Sequence, residues 1–286
     1  MKRSADLFLT ALAPAIWGST YLVTTELLPP GRPLLAGALR ALPVGLALVG
    51  VFRRLPEGIW WWRMLVLGTL NIGLFFALLF VAAYRLPGGV AATLGAVQPL
   101  LVALLAGVVL AQKPSLVTLA AGVVGMVGVA LLVLGSTAEL EVWGVVSALA
   151  GAFSMAAGTV LTRLWVSPVP VLLFAGWQLA IGGLLLSVLS FVFEGRAPPL
   201  SQSNVLGYSY LGLIGGGLAY TLWFRGIGEL GTSVAFLGLL SPVVATALGY
   251  AVLNQQLSWR QGAGAVLVLG SVLAGQRQLP GGGNKS

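Results

Sequence analysis

Long apolar stretches alternate with short polar connections along almost the whole chain. Because the hydrocarbon core of a bilayer is about 30 Å thick, a helix that crosses it needs about 20 consecutive apolar residues. The connections contain Pro, Gly, Ser or single charges, which are turn and breaker signals. The pattern predicts an all-α integral membrane protein with ten transmembrane helices. These lie near residues 7–27, 33–52, 63–84, 88–110, 115–135, 141–164, 169–191, 204–225, 231–252 and 259–276.

Composition and charge agree with a chain that faces lipid. Of the 286 residues, 58% are hydrophobic and 8% are charged, whereas a soluble surface needs roughly a quarter to a third of its positions charged. The net charge of +8 is spread singly or in pairs at the ends of apolar runs, so we expect no nucleic-acid partner. The chain has no Cys and no His, which removes the commonest metal ligands and the commonest general base. We expect no metal and no cofactor.

The basic residues predict that both termini are cytoplasmic. With the N-terminus inside, Lys and Arg are concentrated in the inner loops, as the positive-inside rule requires. The inner loops hold Lys2, Arg3, Arg53, Arg54, Arg63, Lys113, Arg163, Arg225, Arg277 and Lys285, and the outer loops hold Arg32, Arg85, Arg196 and Arg260.

The two halves of the sequence are similar. A shift of 143 positions places Gly88 on Gly231, Ala92 on Ala235, Pro99 on Pro242 and Gln112 on Gln255, and a slightly smaller shift pairs Arg40 with Gln178. Each half has five predicted spans, an odd number, so the second half enters the membrane in the opposite orientation. Such inverted repeats place a site near the middle of the bilayer. We expect repeats at 1–137 and 138–277, followed by a disordered cytoplasmic tail at 278–286.

Three kinds of segment resemble the EamA repeats of the drug/metabolite transporter superfamily. They are Trp17-Gly18-Ser19-Thr20, Leu39-Arg40-Ala41, and the paired Leu-Gly-x-x-x-Pro segments at 94–99 and 237–242. The resemblance implies a ten-helix carrier that moves small metabolites across the bacterial inner membrane, often outward. The sequence is compatible with a monomer or a dimer. Within the superfamily the chain looks most like the YddG-type exporters of aromatic and other neutral amino acids. It departs from the usual repeats at Gln112 and Gln255, where a glutamate is expected.

Arg40 is the only charged residue well inside a predicted span. An unpaired guanidinium at that depth costs several kcal/mol, so its side chain must face protein or water. It can hold a substrate carboxylate. It can equally bond the carbonyls of a broken helix, because Pro43 one turn later can free one.

Aromatic and uncharged polar side chains at membrane depth are the other candidates for a central cavity. Aromatic rings can sandwich an amphipathic amino acid or attract its ammonium group, and amide or hydroxyl groups can bind its charged ends. The same residues can instead serve in helix packing, as interhelical hydrogen bonds or as belts at the membrane surface. The candidates are Trp17, Tyr21, Asn71, Phe75, Tyr84, Gln98, Trp177, Gln178, Tyr220, Trp223 and Ser241.

Two prolines at equivalent positions predict broken helices. Pro99 follows Gln98, and Pro242 follows Ser241. A proline lacks an amide hydrogen and exposes carbonyls on the preceding turn, and matched helix breaks in two halves indicate a transport site. Gly216, inside the run Gly215-Gly216-Gly217, is expected to act as a hinge or to pack against a neighbouring helix.

The sequence offers little for energy coupling or catalysis. It has no GxxxxGK[ST] motif, so we expect no nucleotide to bind. No Asp or Glu lies in mid-span, so we expect facilitated diffusion, with proton antiport through Glu26 as a lesser possibility. A multidrug cation exporter would need a membrane-embedded Glu, and a sugar-phosphate carrier would need several cavity cations. An intramembrane enzyme would need a base to activate Ser154 or Ser241, and none is present in mid-span.

Overall fold

The computed structural model describes residues 2–86, 94–133, 141–253 and 258–277, and these residues form helices and connections without a strand. The helices are α1 Lys2–Gly18, α2 Thr20–Leu27, α3 Pro33–Phe52, α4 Trp60–Gly68, α5 Leu74–Arg85, α6 Gln98–Val109, α7 Leu116–Val133, α8 Val142–Leu164, α9 Val171–Glu194, α10 Gln202–Tyr210, α11 Ala219–Leu230, α12 Val234–Leu237, α13 Leu240–Leu253 and α14 Trp259–Arg277. Two π-helical segments, Thr69–Gly73 and Leu211–Leu218, join α4 to α5 and α10 to α11.

Six helical stretches of the described residues are long and apolar enough to cross a membrane. Their outer sides carry large apolar side chains that nothing covers, as expected where lipid is the solvent. The described residues therefore form helices with six candidate spans, against the ten that the sequence pattern predicts for the whole chain. The six stretches are Arg3–Thr24, Pro33–Phe52, Trp60–Ala82, Val142–Leu164, Val171–Glu194 and Gln202–Leu237, and the shorter apolar helices are Gln98–Val109, Leu116–Leu132 and Leu240–Val252.

Several predicted runs are interrupted helices. The run 7–27 is divided at Ser19, whose hydroxyl bonds the carbonyl of Ile16 at 2.7 Å and the hydroxyl of Tyr210, also at 2.7 Å. The described part of the run 88–110 is helical at residues 94–95, turns at residues 96–97 and is helical again from Gln98, and the run 231–252 is divided between Leu237 and Leu240. The break at Ser19 leaves Arg3–Thr24 among the six candidate spans, whereas the other two breaks leave Gln98–Val109 and Leu240–Val252 shorter than a span.

The helix ends meet at two opposite ends of the molecule. We call one the Leu28 end, where the Asn204 side chain donates to the carbonyl of Leu27 and Arg85 pairs with Glu141. We call the other the Arg3 end, where the Arg3 guanidinium donates to the carbonyl of Gln276 at 2.6 Å. The two ends of the described chain therefore lie at the same end of the molecule. The structure does not contain a membrane, so the side on which this end lies stays a prediction.

Two antiparallel helix pairs, each joining the two halves of the sequence, approach closely through glycines. In the pair α3 and α9, Gly45 lies against the backbone of Ala180, and Gly183 lies against the backbone of Leu42. In the pair α7 and α14, a Cβ at Gly128 would lie 2.9 Å from the carbonyl of Gly264, and a Cβ at Gly264 would lie 2.6 Å from the carbonyl of Gly128. Small residues allow this approach in membrane helices. The shift that pairs Arg40 with Gln178 also pairs Gly45 with Gly183, so the contacts of these two glycines are reciprocal, as an internal two-fold relationship produces.

Candidate functional site

A cavity of about 740 Å³ lies between the helices on the side of the Leu28 end. Its volume is within the range of about 300–1,000 Å³ typical of small-molecule sites. At the Leu28 end its wall is formed by the connection 28–30, and deeper in the molecule by α1, α3, α5, α8 and α11. The start of α6 and the break between α12 and α13 complete it. None of the residues that form contacts at the Arg3 end belongs to its lining.

Aromatic rings form the deep part of the cavity. The ring centroids of Trp17 and Tyr220 are 5.0 Å apart, and those of Trp17 and Trp223 are 5.2 Å apart. Phe76 meets Tyr220 edge to face at 6.0 Å, and Phe75 lies beside Phe76 at 5.7 Å. These separations are those of favourable aromatic pairs. The rings contact one another before any solute binds, so the aromatic floor is largely preformed.

Arg40 is the single charged residue among the described residues that line the cavity. Its side chain is 3% exposed, and its guanidinium lies 4.9 Å from the centre of the Phe76 ring. Nη2 donates to the carbonyl of Gly215 at 3.1 Å. Both interpretations made from the sequence are compatible with this position, because Arg40 reaches the cavity and also bonds a carbonyl of an irregular helix.

The Gly215 carbonyl is available because it lies in a π segment. A π turn spans five residues instead of four, and the amide of Ala219 bonds the carbonyls of Ile214 and Gly216 instead of that of Gly215. The Trp17 indole also donates to Gly215, at 3.0 Å. One carbonyl thus fixes both an aromatic and a cationic side chain of the cavity.

The predicted helix breaks lie at the cavity. Pro99 is the second residue of α6 and Pro242 the third of α13, and both line the cavity together with Gln98 and Ser241. A Cβ at Gly238, in the turn between α12 and α13, would lie 3.7 Å from the ring of Trp223. The two helix breaks, one at Pro99 and one at Pro242, therefore reach the cavity from opposite halves of the sequence.

Three of the predicted cavity residues lie elsewhere. Asn71 donates to Gln178 at 2.8 Å and to Thr162 at 3.1 Å in a buried polar cluster outside the cavity lining. Trp177 donates to the carbonyl of Arg54 at 2.9 Å, near the Arg3 end.

Gly216 lines no part of the cavity either. It lies in the second π segment, where a Cβ would be 2.9 Å from the carbonyl of Arg40. The side chains of Tyr21 and Tyr84 lie outside the described part of the structure. Gln255, one of the two residues that depart from the usual repeats, also lies outside the described residues.

The cavity also contains residues that the sequence analysis did not select. Thr20 and Thr24 line it on the same side as Trp17. Within the predicted run 7–27, Thr20 follows Trp17 by three residues and Thr24 follows Thr20 by four, and this helical spacing is a signal that would have found them. On the opposite wall the lining is small, with Gly151 and Ala152 of α8. Small residues carry no chemical signal, so only the fold places them at a site. The described residues contain no group of three or more Asp, Glu, His or Cys that could hold a metal.

Comparison with known proteins places the chain in a family. The sequence model of the EamA-like transporter family matches it twice, at residues 4–134 and 142–274. The chain is 43% identical over 265 residues to "Protein PecM" of Dickeya dadantii, which covers 91% of this chain and 89% of that protein. It is 29% identical over 280 residues to a "Probable amino-acid metabolite efflux pump" of Salmonella typhimurium, covering 92% of each. A solved crystal structure is similar in fold, with a TM-score of 0.78 at 22% identity over 96% of this chain and 99% of that one. The chain belongs to the EamA-like transporter family of membrane proteins.

Proposed function

We propose that this protein exports neutral amphipathic metabolites, aromatic and other neutral amino acids first among them, across the bacterial inner membrane. The observation that carries the proposal is the cavity of about 740 Å³ with an aromatic floor and Arg40 as its single described charge. An aromatic amino acid offers an apolar ring for the floor and a carboxylate for the guanidinium. A relative named as a probable amino-acid metabolite efflux pump supports the same solute class.

The proposed roles of the lining residues follow from their chemistry. Arg40 binds the solute carboxylate, because a charged donor makes the strongest hydrogen bonds to it. Trp17, Phe75, Tyr220 and Trp223 contact the apolar part. Gln98 and Ser241, at the two helix breaks, bind the amino group.

The proposed topology is ten spans in two inverted repeats of five, with both termini cytoplasmic. The double family match and the reciprocal glycine contacts support the repeat, and the contact of Arg3 with Gln276 supports an even number of crossings. Arg53, Arg54 and Arg163 lie toward the Arg3 end, which the positive-inside rule assigns to the cytoplasm. The cavity then faces the outer side, and transport proceeds by alternating access, with the domain boundaries and terminal tail expected from the sequence.

The cavity lining argues against two other solute classes. A lipophilic cation needs a carboxylate, and none lies among the described lining residues; a sugar phosphate needs more positive charge than Arg40 provides. The test is flux in proteoliposomes containing the purified protein, with a panel of neutral, cationic and anionic amino acids, lipophilic cations and sugar phosphates. We expect saturable flux of the neutral aromatic members. Flux of cations alone would contradict the proposal.

A further inference from the structure

We infer that the bodies that move during transport are two helix bundles that each combine helices of both sequence repeats. Bundle A consists of α1, α11 and α13, and bundle B consists of α8, α5 and α6. Helix α1 packs along α11 and α13, and α8 packs along α5 and α6. The inference rests on the proposed transport and specifies which helices move together.

An ion pair closes each bundle at one end. In bundle A, Arg225 near the end of α11 pairs with Asp6 near the start of α1, at 2.5 Å. In bundle B, Arg85 at the end of α5 pairs at 3.2 Å with Glu141, which also caps α8 by accepting from the amide of Gly144 at 2.8 Å. Each pair joins the start of the first span of one repeat to the end of the third span of the other. If the repeats moved apart as units, both pairs would break.

Close packing fixes the helices within each bundle. In bundle A, a Cβ at Gly18 of α1 would lie 2.7 Å from the carbonyl of Ser241 in α13, and Gly226 of α11 lies directly against the Thr10 side chain. In bundle B, a Cβ at Gly144 would lie 2.6 Å from the side chain of Leu86. Interfaces packed this closely behave as rigid units, because they cannot deform continuously.

The contact between the two bundles differs between the two ends of the molecule. On the side of the Leu28 end the cavity separates them. Toward the Arg3 end, Ala235 of the short helix α12, which connects α11 to α13 of bundle A, packs against a patch of mostly small apolar side chains of bundle B, Val102 and Ala106 of α6 and Ala156 and Val160 of α8. Beyond this patch, Arg163 donates to the carbonyl of Gly228 at 2.5 Å, and Thr232 donates to Gln112 at 3.3 Å. Water can replace these polar contacts at the end of the molecule, so this interface can open at low cost.

The π segments lie where the bundles join the rest of the fold. The first π segment, and α4 before it, pack on α9, and the second π segment packs on α3. Helices α3 and α9 also pack on each other through Gly45 and Gly183. The first π segment therefore connects α4, which packs on α9, to α5 of bundle B. The second connects α10, which contacts α3, to α11 of bundle A. Irregular hydrogen bonding makes such a segment a natural bending point.

Cysteine cross-linking tests the inference, because the chain has no native Cys. The pair Gln112→Cys with Thr232→Cys joins the connection that follows α6 of bundle B to the segment that follows α11 of bundle A. The matched control, Asp6→Cys with Arg225→Cys, joins α1 to α11 within bundle A at the same end of the molecule. We expect a short bis-methanethiosulfonate linker on the first pair to lower flux about tenfold or more, because bundle motion limits turnover, and reduction to restore it. The linker on the second pair should leave at least about half of the flux of the uncross-linked variant.

A second readout does not depend on the solute. Ala152→Cys lines the cavity and should react with a membrane-impermeant maleimide applied from the Arg3 end only when the bundles separate there. The linker between bundles should abolish this reaction, and the linker within bundle A should not. Equal loss with both linkers would overturn the inference and favour the repeats as moving units. If no solute is transported while labelling still follows the linkers, the proposed solute class is wrong and the moving bundles stand.

Discussion

Arg40 and Gly215 are connected across the two halves of the sequence by a hydrogen bond of 3.1 Å from the guanidinium to the carbonyl oxygen. The same carbonyl accepts the Trp17 indole at 3.0 Å. A cationic and an aromatic side chain of the cavity are therefore positioned by one carbonyl of the second π segment. A solute carboxylate that attracts Arg40 competes with Gly215 and so acts directly on the irregular part of the helix.

We expect Arg40→Ala to lower the flux of neutral amino acids about tenfold or more, since loss of a charged hydrogen bond to a carboxylate costs about 1.5–3 kcal/mol. Arg40→Lys retains the charge but not the planar donor group, and we expect it to recover part of the flux. Initial rates over a range of solute concentrations separate binding from turnover. Unchanged apparent affinity in Arg40→Ala would remove the proposed carboxylate contact.

Trp17→Phe deletes the hydrogen bond to Gly215 and keeps an aromatic ring. The net value of such a bond is about 0.5–1.5 kcal/mol, so we expect flux to fall by about twofold to tenfold. Trp17→Ala also removes the ring contacts with Tyr220 and Trp223, and we expect it to lower the flux further. Equal flux in both variants would show that the ring does not contact the solute.

Flux should not depend on a pH gradient. The described lining residues include no carboxylate, and proton coupling ordinarily requires a titratable group in the pathway. We expect accumulation in proteoliposomes to stop at equal solute concentrations on the two sides, with or without a gradient. Uphill transport driven by the gradient and lost in Glu26→Gln would identify that residue as the coupling group.

Glu194→Gln tests the attachment of α3. The two carboxylate oxygens of Glu194 accept from the amides of Leu34 at 2.6 Å and Leu35 at 2.9 Å, at the start of that helix. Caps of this kind contribute about 0.5–2 kcal/mol, and a negative charge adds a favourable interaction with the helix dipole. We expect a lower midpoint of thermal unfolding in detergent, without loss of the fold. Glu57→Gln, an exposed carboxylate, is the control and should leave the midpoint unchanged.

Gly45→Ala should reduce the folded yield severely, because a Cβ there would overlap the backbone of Ala180. Gly50→Ala is a matched control in the same helix, since nothing lies within 4 Å of a Cβ at that position. The comparison is the fraction of monodisperse protein after extraction. Similar yields for the two variants would mean that α3 and α9 can separate without loss of the fold.

Much of the architecture is predictable from the sequence, because solvent sets it. A bilayer requires long apolar helices. The predicted repeat is visible in residues such as Pro99 and Pro242, and the family model matches the chain twice. The membership of the transporter family follows from the same motifs. Arg40 was also identifiable, since a charge at membrane depth is expensive and must face protein or water.

Tertiary structure decided which of the candidate residues share a cavity. Trp17 and Trp177 look alike in sequence, yet one lies in the cavity floor and the other bonds Arg54 at the far end. Asn71 and Gln178 are buried against each other. Helix periodicity gives the side of a helix on which a residue lies, but not the depth or the neighbour it meets. Those depend on where breaks and π segments bend the helices, and the free energies of these irregularities are set by contacts between residues far apart in the chain.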